Sequence, residues 1–245
     1  MPFHKVTYNE KRRFATVHNY GCTFRCPICS YKLRSGADGV PGRSHPRPDR
    51  FLAADEIKSV LRTTRVDTLY FMGGEPTTAV ELDDLLAFGK RELGVRTSLG
   101  HTNGSRLPIP NLDAANVGLK AWDEATHLAC TGRPKAPIFS NVEAAFRSGT
   151  EIRLNVVFVP GLVDLDQIEE IARWAAGLSP AIPLHICGYI PIPGQNHLRP
   201  TAAQMEEAVA CGRRHLREVN SSHLTAAEAL DLTSRDDRFA STRLL

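Results

Sequence analysis

The sequence predicts an α/β fold built on a parallel sheet, an open barrel of about six strand–helix units. Three observations carry that expectation. Short apolar segments rich in β-branched and aromatic residues alternate with longer amphipathic ones. Glycines stand where the amphipathic segments must stop. The strand-like segments number about six, too few for a closed eight-stranded barrel, so the sheet should be partial and curved.

The first strand is expected over Phe14–Asn19 and the first regular helix over Ala54–Thr63, with Asp55 near its start. A strand at Thr68–Met72 leads to a helix at Thr78–Glu92 that stops before Gly94. The strand Val95–His101 is followed by a crossover, Ser105–Ala115, that holds Pro108 and Pro110 and is too short for a full helix. Then come the strand Asn116–Lys120, a helix at Ile138–Ser148 closed by Gly149, and the strand Ile152–Val159. Asp164–Ala176 reads as a helix ending at Gly177, Ile182–Tyr189 as the sixth strand, and Thr201–Val219 as a helix opened by Thr201 behind Pro200. Such alternation implies right-handed crossovers. Residues 1–245 are expected to form one domain, with a core at about 14–190 and a C-terminal helical extension at about 200–245.

The 245 residues are 42% hydrophobic and 23% charged, an ordinary globular composition for a single α/β barrel. A net charge of +3 is too small to argue for a nucleic-acid partner. The start lacks the layout of a secretory leader, and the most apolar run, Leu154–Val163, is interrupted by Asn155 and Pro160. No membrane association is expected, and a cytoplasmic location is. Thiols stay reduced there, so the six cysteines read as metal ligands or core residues.

Three of them, Cys22, Cys26 and Cys29, fall within eight residues on a loop directly after the first strand. A loop can wrap three thiolates round one centre, whereas a helix or strand would scatter them. Cubane iron–sulfur clusters usually take four cysteines, and three would leave one iron open. An open position is what separates catalytic from closed metal sites. On spacing alone, zinc completed by His18 or His45 remains an alternative. Phe71-Met72-Gly73-Gly74-Glu75-Pro76-Thr77 follows the second strand. Its glycines allow close backbone approach to a ligand, Glu75 offers a carboxylate to an ammonium group, and Pro76 stiffens the turn. A zinc module has no use for such a turn.

A C-x3-C-x2-C loop after the first strand with Gly-Gly-Glu-Pro after the second resembles the radical SAM superfamily. The resemblance implies an enzyme with a partial (βα)6 barrel and a [4Fe–4S] cluster held by Cys22, Cys26 and Cys29. It also implies S-adenosylmethionine (SAM) bound at Gly73, Gly74, Glu75 and Pro76. Cleavage of SAM then yields a 5′-deoxyadenosyl radical that abstracts hydrogen, in chemistry carried by the cofactor. A flavodoxin- or ferredoxin-type reductant and oxygen-free conditions are implied as well.

Within the superfamily the compact length resembles the branch of pyruvate formate-lyase activating enzyme. His101-Thr102-Asn103-Gly104 and Gly118-Leu119-Lys120 stand where that branch has Asp-Thr-Asn-Gly and Asp-Leu-Lys. Thr126-His127 through Thr131-Gly132, and Asn155 through Pro160-Gly161, follow the same pattern. The resemblance implies SAM contacts for Thr102, Asn103, Lys120 and His185. The monovalent-cation region of the branch has lost both aspartates, replaced by His101 and Gly118.

Cys130, Cys187 and Cys211 are too scattered for a second cluster and read as core thiols. The Lys32–Arg50 stretch, five basic residues against two acidic, reads as a solvated loop or as a dock for an acidic partner. Three functions compete. They are an enzyme acting on a protein, such as a glycyl radical enzyme, an enzyme acting on a small molecule or cofactor precursor, and a non-catalytic iron–sulfur or zinc module.

Overall fold

The computed structural model describes residues 2–232 and 236–245. In chain order the elements are β1 (Phe3–Asn9), β2 (Phe14–Asn19), α1 (Lys32–Ser35), α2 (Ala54–Arg62), β3 (Thr68–Met72), α3 (Leu82–Arg91), β4 (Arg96–Thr102) and β5 (Ala114–Leu119). They continue with α4 (Glu124–Thr131), α5 (Ala136–Arg147), β6 (Glu151–Phe158), α6 (Leu165–Leu178), β7 (Leu184–Gly188), α7 (Ala202–Arg213), β8 (Val219–Ser222), α8 (Ala226–Leu230) and β9 (Thr242–Arg243).

Among the described residues, nine strands join one open sheet in the order β8-β7-β6-β5-β4-β3-β2-β1-β9. Strands β2 to β8 pair in parallel, and β1 is antiparallel to both its neighbours. From β2 to β8 the spatial order follows the chain. With every crossover right-handed, that order puts the connecting helices on one face of the sheet. The burial pattern agrees. Leu69, Phe71, Leu99, Val117, Leu154, Val156 and Ile186 are buried in one core with Ile57, Leu85, Val142 and Ile168 of the helices. Each such side chain contributes roughly 1.5–3 kcal/mol of burial.

The opposite, helix-free face is polar. Residues directly paired across strands share a face, so the register Lys5↔His18↔Met72 and the register Gly118↔Asn155↔His185↔Asn220 place these side chains there. Asn155 Nδ2 donates to Asn116 Oδ1 at 2.8 Å, and His185 Nε2 meets Ser222 Oγ at 3.0 Å.

The six expected strands and the helix-free crossover at 105–113 are present. The differences have physical causes. Strand β1 escaped notice because its register shifts between Phe3 and Lys5, so that Phe3 and Val6 both point inward and the alternation is lost. The helix expected to run to Val219 ends at Arg213. Buried Leu216 and the bond from Arg217 N–H to Pro180 O then turn the chain into β8. The stretch read as a C-terminal helical extension thus also holds the edge strands β8 and β9, and its residues 233–235 lie outside the described residues. The second helix starts later than expected, at Leu82, because Pro76–Thr78 forms a separate 3₁₀ turn. Helix α4 is short, but its signals were present: Asp123 caps it by accepting Thr126 N–H, and Gly132 ends it at φ +74°.

Candidate functional site

The site grows from the parallel pairing of β2 with β3. His18 is paired with Met72, so the chain leaving β2 runs beside the chain leaving β3. The two loops are stitched together. Glu75 N–H donates to Gly21 O at 2.8 Å, Gly21 N–H donates to Gly42 O at 2.7 Å, and Asn19 Nδ2 donates to Gly21 O and Glu75 O, both at 3.0 Å. Gly74 has φ +52°, and a Cβ there would lie 2.0 Å from Gly21 O and 2.6 Å from Gly42 O. A Cβ on Gly42 would lie 2.4 Å from that of Cys22. Gly42 and Gly74 bring three stretches of the protein's own backbone together.

Glu75 is turned inward. Its side chain is fully buried, and Oε1 accepts Thr77 N–H at 3.2 Å, Thr77 Oγ1 at 2.7 Å and Thr102 Oγ1 at 2.8 Å, while Oε2 accepts Asn103 N–H. Burial raises its pKa, against the pull of those donors. The carboxylate is an internal tie between the ends of β3 and β4, not a group presented outward. Pro76 is buried at the start of the 3₁₀ turn.

Cys22, Cys26 and Cys29 lie on the loop beneath this turn, and all six cysteines are free thiols. Burial pushes Cys26 up to about 12 and raises Cys22, while the Lys120 ammonium opposes both shifts. Cys22 Sγ accepts Phe24 N–H at 3.3 Å and Asn103 Nδ2 at 3.7 Å. Among the described residues no three His, Cys, Asp or Glu side chains already stand at metal-binding range. His18, the candidate zinc ligand, is turned to Thr7 Oγ1 at 2.9 Å. A residue the sequence reading missed is Tyr31, two positions after Cys29. Its hydroxyl accepts Gly74 N–H at 2.8 Å and locks the glycine turn to the cysteine loop.

The remaining candidates divide. Thr102 and Asn103 are buried at the end of β4, and Asn103 Nδ2 also donates to Thr23 Oγ1 at 2.9 Å on the cysteine loop. Lys120 and His101 converge over Gly118: a Cβ there would lie 2.7 Å from Lys120 Nζ and 2.8 Å from His101 Cε1. The absent side chain at 118 is the space those two groups occupy. Burial first, then Lys120, lowers His101 to about 3, so its ring is neutral. Among the described residues Lys120 makes no hydrogen bond or ion pair. His185 is further along the helix-free face, bonded to Ser222.

Cys130 and Cys211 are buried, as core thiols should be, whereas Cys187 lies on the polar face in contact with Ser222. On the basic loop, Arg50 is paired with Glu56 at 2.6 Å and Arg43 lies over the Tyr20 ring at 5.9 Å.

A thiol loop and a glycine turn at the C-terminal ends of adjacent parallel strands match a defined class of protein. The chain belongs to the radical SAM superfamily, whose family model matches residues 16–175, and it is an enzyme of that family. A Methanocaldococcus jannaschii protein provisionally named a glycyl-radical enzyme activating enzyme is 28% identical over 187 residues, 71% of this chain and 67% of that protein. A GTP 3′,8-cyclase of Stenotrophomonas maltophilia is 32% identical over 167 residues, 62% of this chain and 47% of the cyclase. The chain thus spans about half the length of the curated cyclases it matches. Among solved structures, a radical SAM methyltransferase from Sphaerobacter thermophilus superposes with TM-score 0.62 at 18% identity, covering 89% of this chain and 68% of that one. A domain of pyruvate-formate lyase-activating enzyme from Bacteroides vulgatus gives 0.52 at 17% identity, covering 62% of this chain and 97% of that one. At such identities the likeness is one of fold.

Proposed function

We infer that this chain binds a [4Fe–4S] cluster through Cys22, Cys26 and Cys29 and cleaves SAM to abstract hydrogen from a substrate. The observation that carries the reading is the stitching of the cysteine loop to the Gly73-Gly74-Glu75 turn. It sets three free thiols beside a backbone whose glycine carbonyls accept no hydrogen bond among the described residues. Those residues fit the group, since thiolates are the ligands of such clusters and the Lys120 charge favours the thiolate form against burial. When bound, the cluster supplies the electron that splits SAM into methionine and a 5′-deoxyadenosyl radical.

The residues of the chain then have distinct tasks. The Gly73 and Gly74 carbonyls accept the SAM ammonium, a task the inward-turned Glu75 leaves to the backbone. Lys120, which makes no hydrogen bond or ion pair among the described residues, holds the SAM carboxylate. Neutral His101 fills the space beside it and adds no second positive charge. The polar sheet face below receives the substrate. A flavodoxin- or ferredoxin-type protein is the reductant.

The substrate is a protein, in keeping with the activating-enzyme relative, or a small molecule, in keeping with the cyclases. The polar, helix-free face favours the second.

Anaerobic reconstitution tests the core of the reading. About four irons and four sulfides per chain are expected. Cys22→Ala, Cys26→Ala and Cys29→Ala should each abolish them, while Cys130→Ala and Cys211→Ala should not. Stoichiometric zinc in place of iron would overturn it.

A further inference from the structure

The first two strands and the last one build a cluster of positive charge that the site described above does not use. Lys5 on β1 pairs with His18 on β2, and Thr7 on β1 pairs with Arg243 on β9. Alternation along β1 puts Lys5 and Thr7 on one face. The contact of Thr7 Oγ1 with His18 Nε2 at 2.9 Å confirms that His18 shares it. The His4 ring lies 6.4 Å from that of His18 and edge-on to Tyr20. This is the helix-free face, and His18 is only four residues before Cys22.

Among the described residues no Asp or Glu side chain pairs with Lys5 or Arg243. Lys5 is half-buried and, among the described residues, makes no hydrogen bond or ion pair. The charges that bear on Lys5 are those of Arg243 and Arg34, both positive, and the one that bears on His18 is Lys5, since burial holds the neighbouring His4 ring down to about 4 and so neutral. The carboxylate nearest along the chain to β9, Asp237, is taken by Lys11 at 2.6 Å and Arg12 at 2.7 Å. Among the described residues Arg243 donates through its Nε alone, to Leu245 O at 2.8 Å. Holding half-buried Lys5 beside the exposed Arg243 costs stability unless an anion joins them.

We propose that Lys5, His18 and Arg243 hold the anionic group of the substrate, a small molecule bearing a phosphate or a carboxylate that lies across the helix-free face. The two cations supply charge, and the neutral His18 ring supplies a directional hydrogen bond at the end of the face nearest the cysteine loop. That the anion belongs to a substrate rests on the enzyme reading above; that an anion binds does not.

Calorimetric titration of the full chain, without cluster or SAM, with inorganic pyrophosphate and separately with succinate tests this. Submillimolar binding of at least one is expected, weakened tenfold or more by Lys5→Met and by Arg243→Met and unchanged by Lys11→Ala. Lys5→Arg should retain binding, which keeps the result readable if a Met variant folds poorly. Tighter pyrophosphate binding identifies a phosphorylated ligand, and tighter succinate binding a carboxylated one. Binding of neither probe, or equal loss in Lys11→Ala, overturns the proposal. SAM cleavage by a chain that binds neither anion defeats this inference alone. Anion binding by a chain that never cleaves SAM defeats the enzyme reading alone.

Discussion

The carboxylate of Glu75 accepts the hydroxyl of Thr102 at 2.8 Å, joining the turn after β3 to the last residue of β4 through a fully buried bond. Removing that carboxylate strands the donors of Thr77, Thr102 and Asn103. Glu75→Ala should therefore destabilise the metal-free chain by roughly 3–5 kcal/mol, read from urea denaturation. Unchanged stability with weaker SAM binding would mean that the carboxylate faces the ligand after all.

Two glycines with similar backbone angles separate strain from crowding. Gly94 has φ +66° with open space around it, so Gly94→Ala should cost only the left-handed conformation, about 1 kcal/mol. Gly74→Ala adds a Cβ 2.0 Å from Gly21 O and must push the cysteine loop away. A further loss of about 1–3 kcal/mol is expected, together with reduced iron uptake on reconstitution. Equal effects of the two substitutions would show that the loops are not tightly joined.

The convergence of Lys120 and His101 over Gly118 gives a substitution that should spare the fold. A Cβ at 118 meets the mobile end of the Lys120 side chain and the edge of the His101 ring. Gly118→Ala is expected to leave the thermal midpoint within a few degrees of wild type while weakening SAM about tenfold. Lys120→Met should weaken it at least as much. Retained affinity in both variants would remove Lys120 from the SAM site.

His18 and His101 are both held near 3 by burial, against about 6.5 in an unfolded chain. Between those values the unfolded state carries a proton that the folded state lacks. Their stabilising effect is thus complete above pH 6.5 and is lost as pH falls toward 3. Each adds about 1.4 kcal/mol per pH unit to the slope. Urea midpoints measured from pH 7 to pH 5 should fall accordingly, and His18→Gln should flatten the dependence by about one proton. An unaltered slope in that variant would place the His18 pKa near its free value.

The strands that carry the site were legible because each is a short apolar run buried by helices, and the cysteine spacing was legible because three ligands on one loop are local in sequence. Strand β1 was hidden by its bulge, and β8 by a polar edge of four residues, Val219–Ser222, with little apolar signal. Tyr31 carried no recognisable mark, since its value lies in one hydrogen bond to Gly74, 43 residues away.

The sequence by itself determined the alternation of strands and helices, the thiol loop and the glycine turn, because periodicity and spacing are properties of neighbouring residues. Which way Glu75 points, what occupies the space at Gly118, and which cations meet on the far face were decided only by tertiary structure. Those outcomes depend on strand register and on packing between segments distant in the chain. Lys5 and Arg243 stand at opposite ends of the sequence and share a face only because β1 joins β2 to β9.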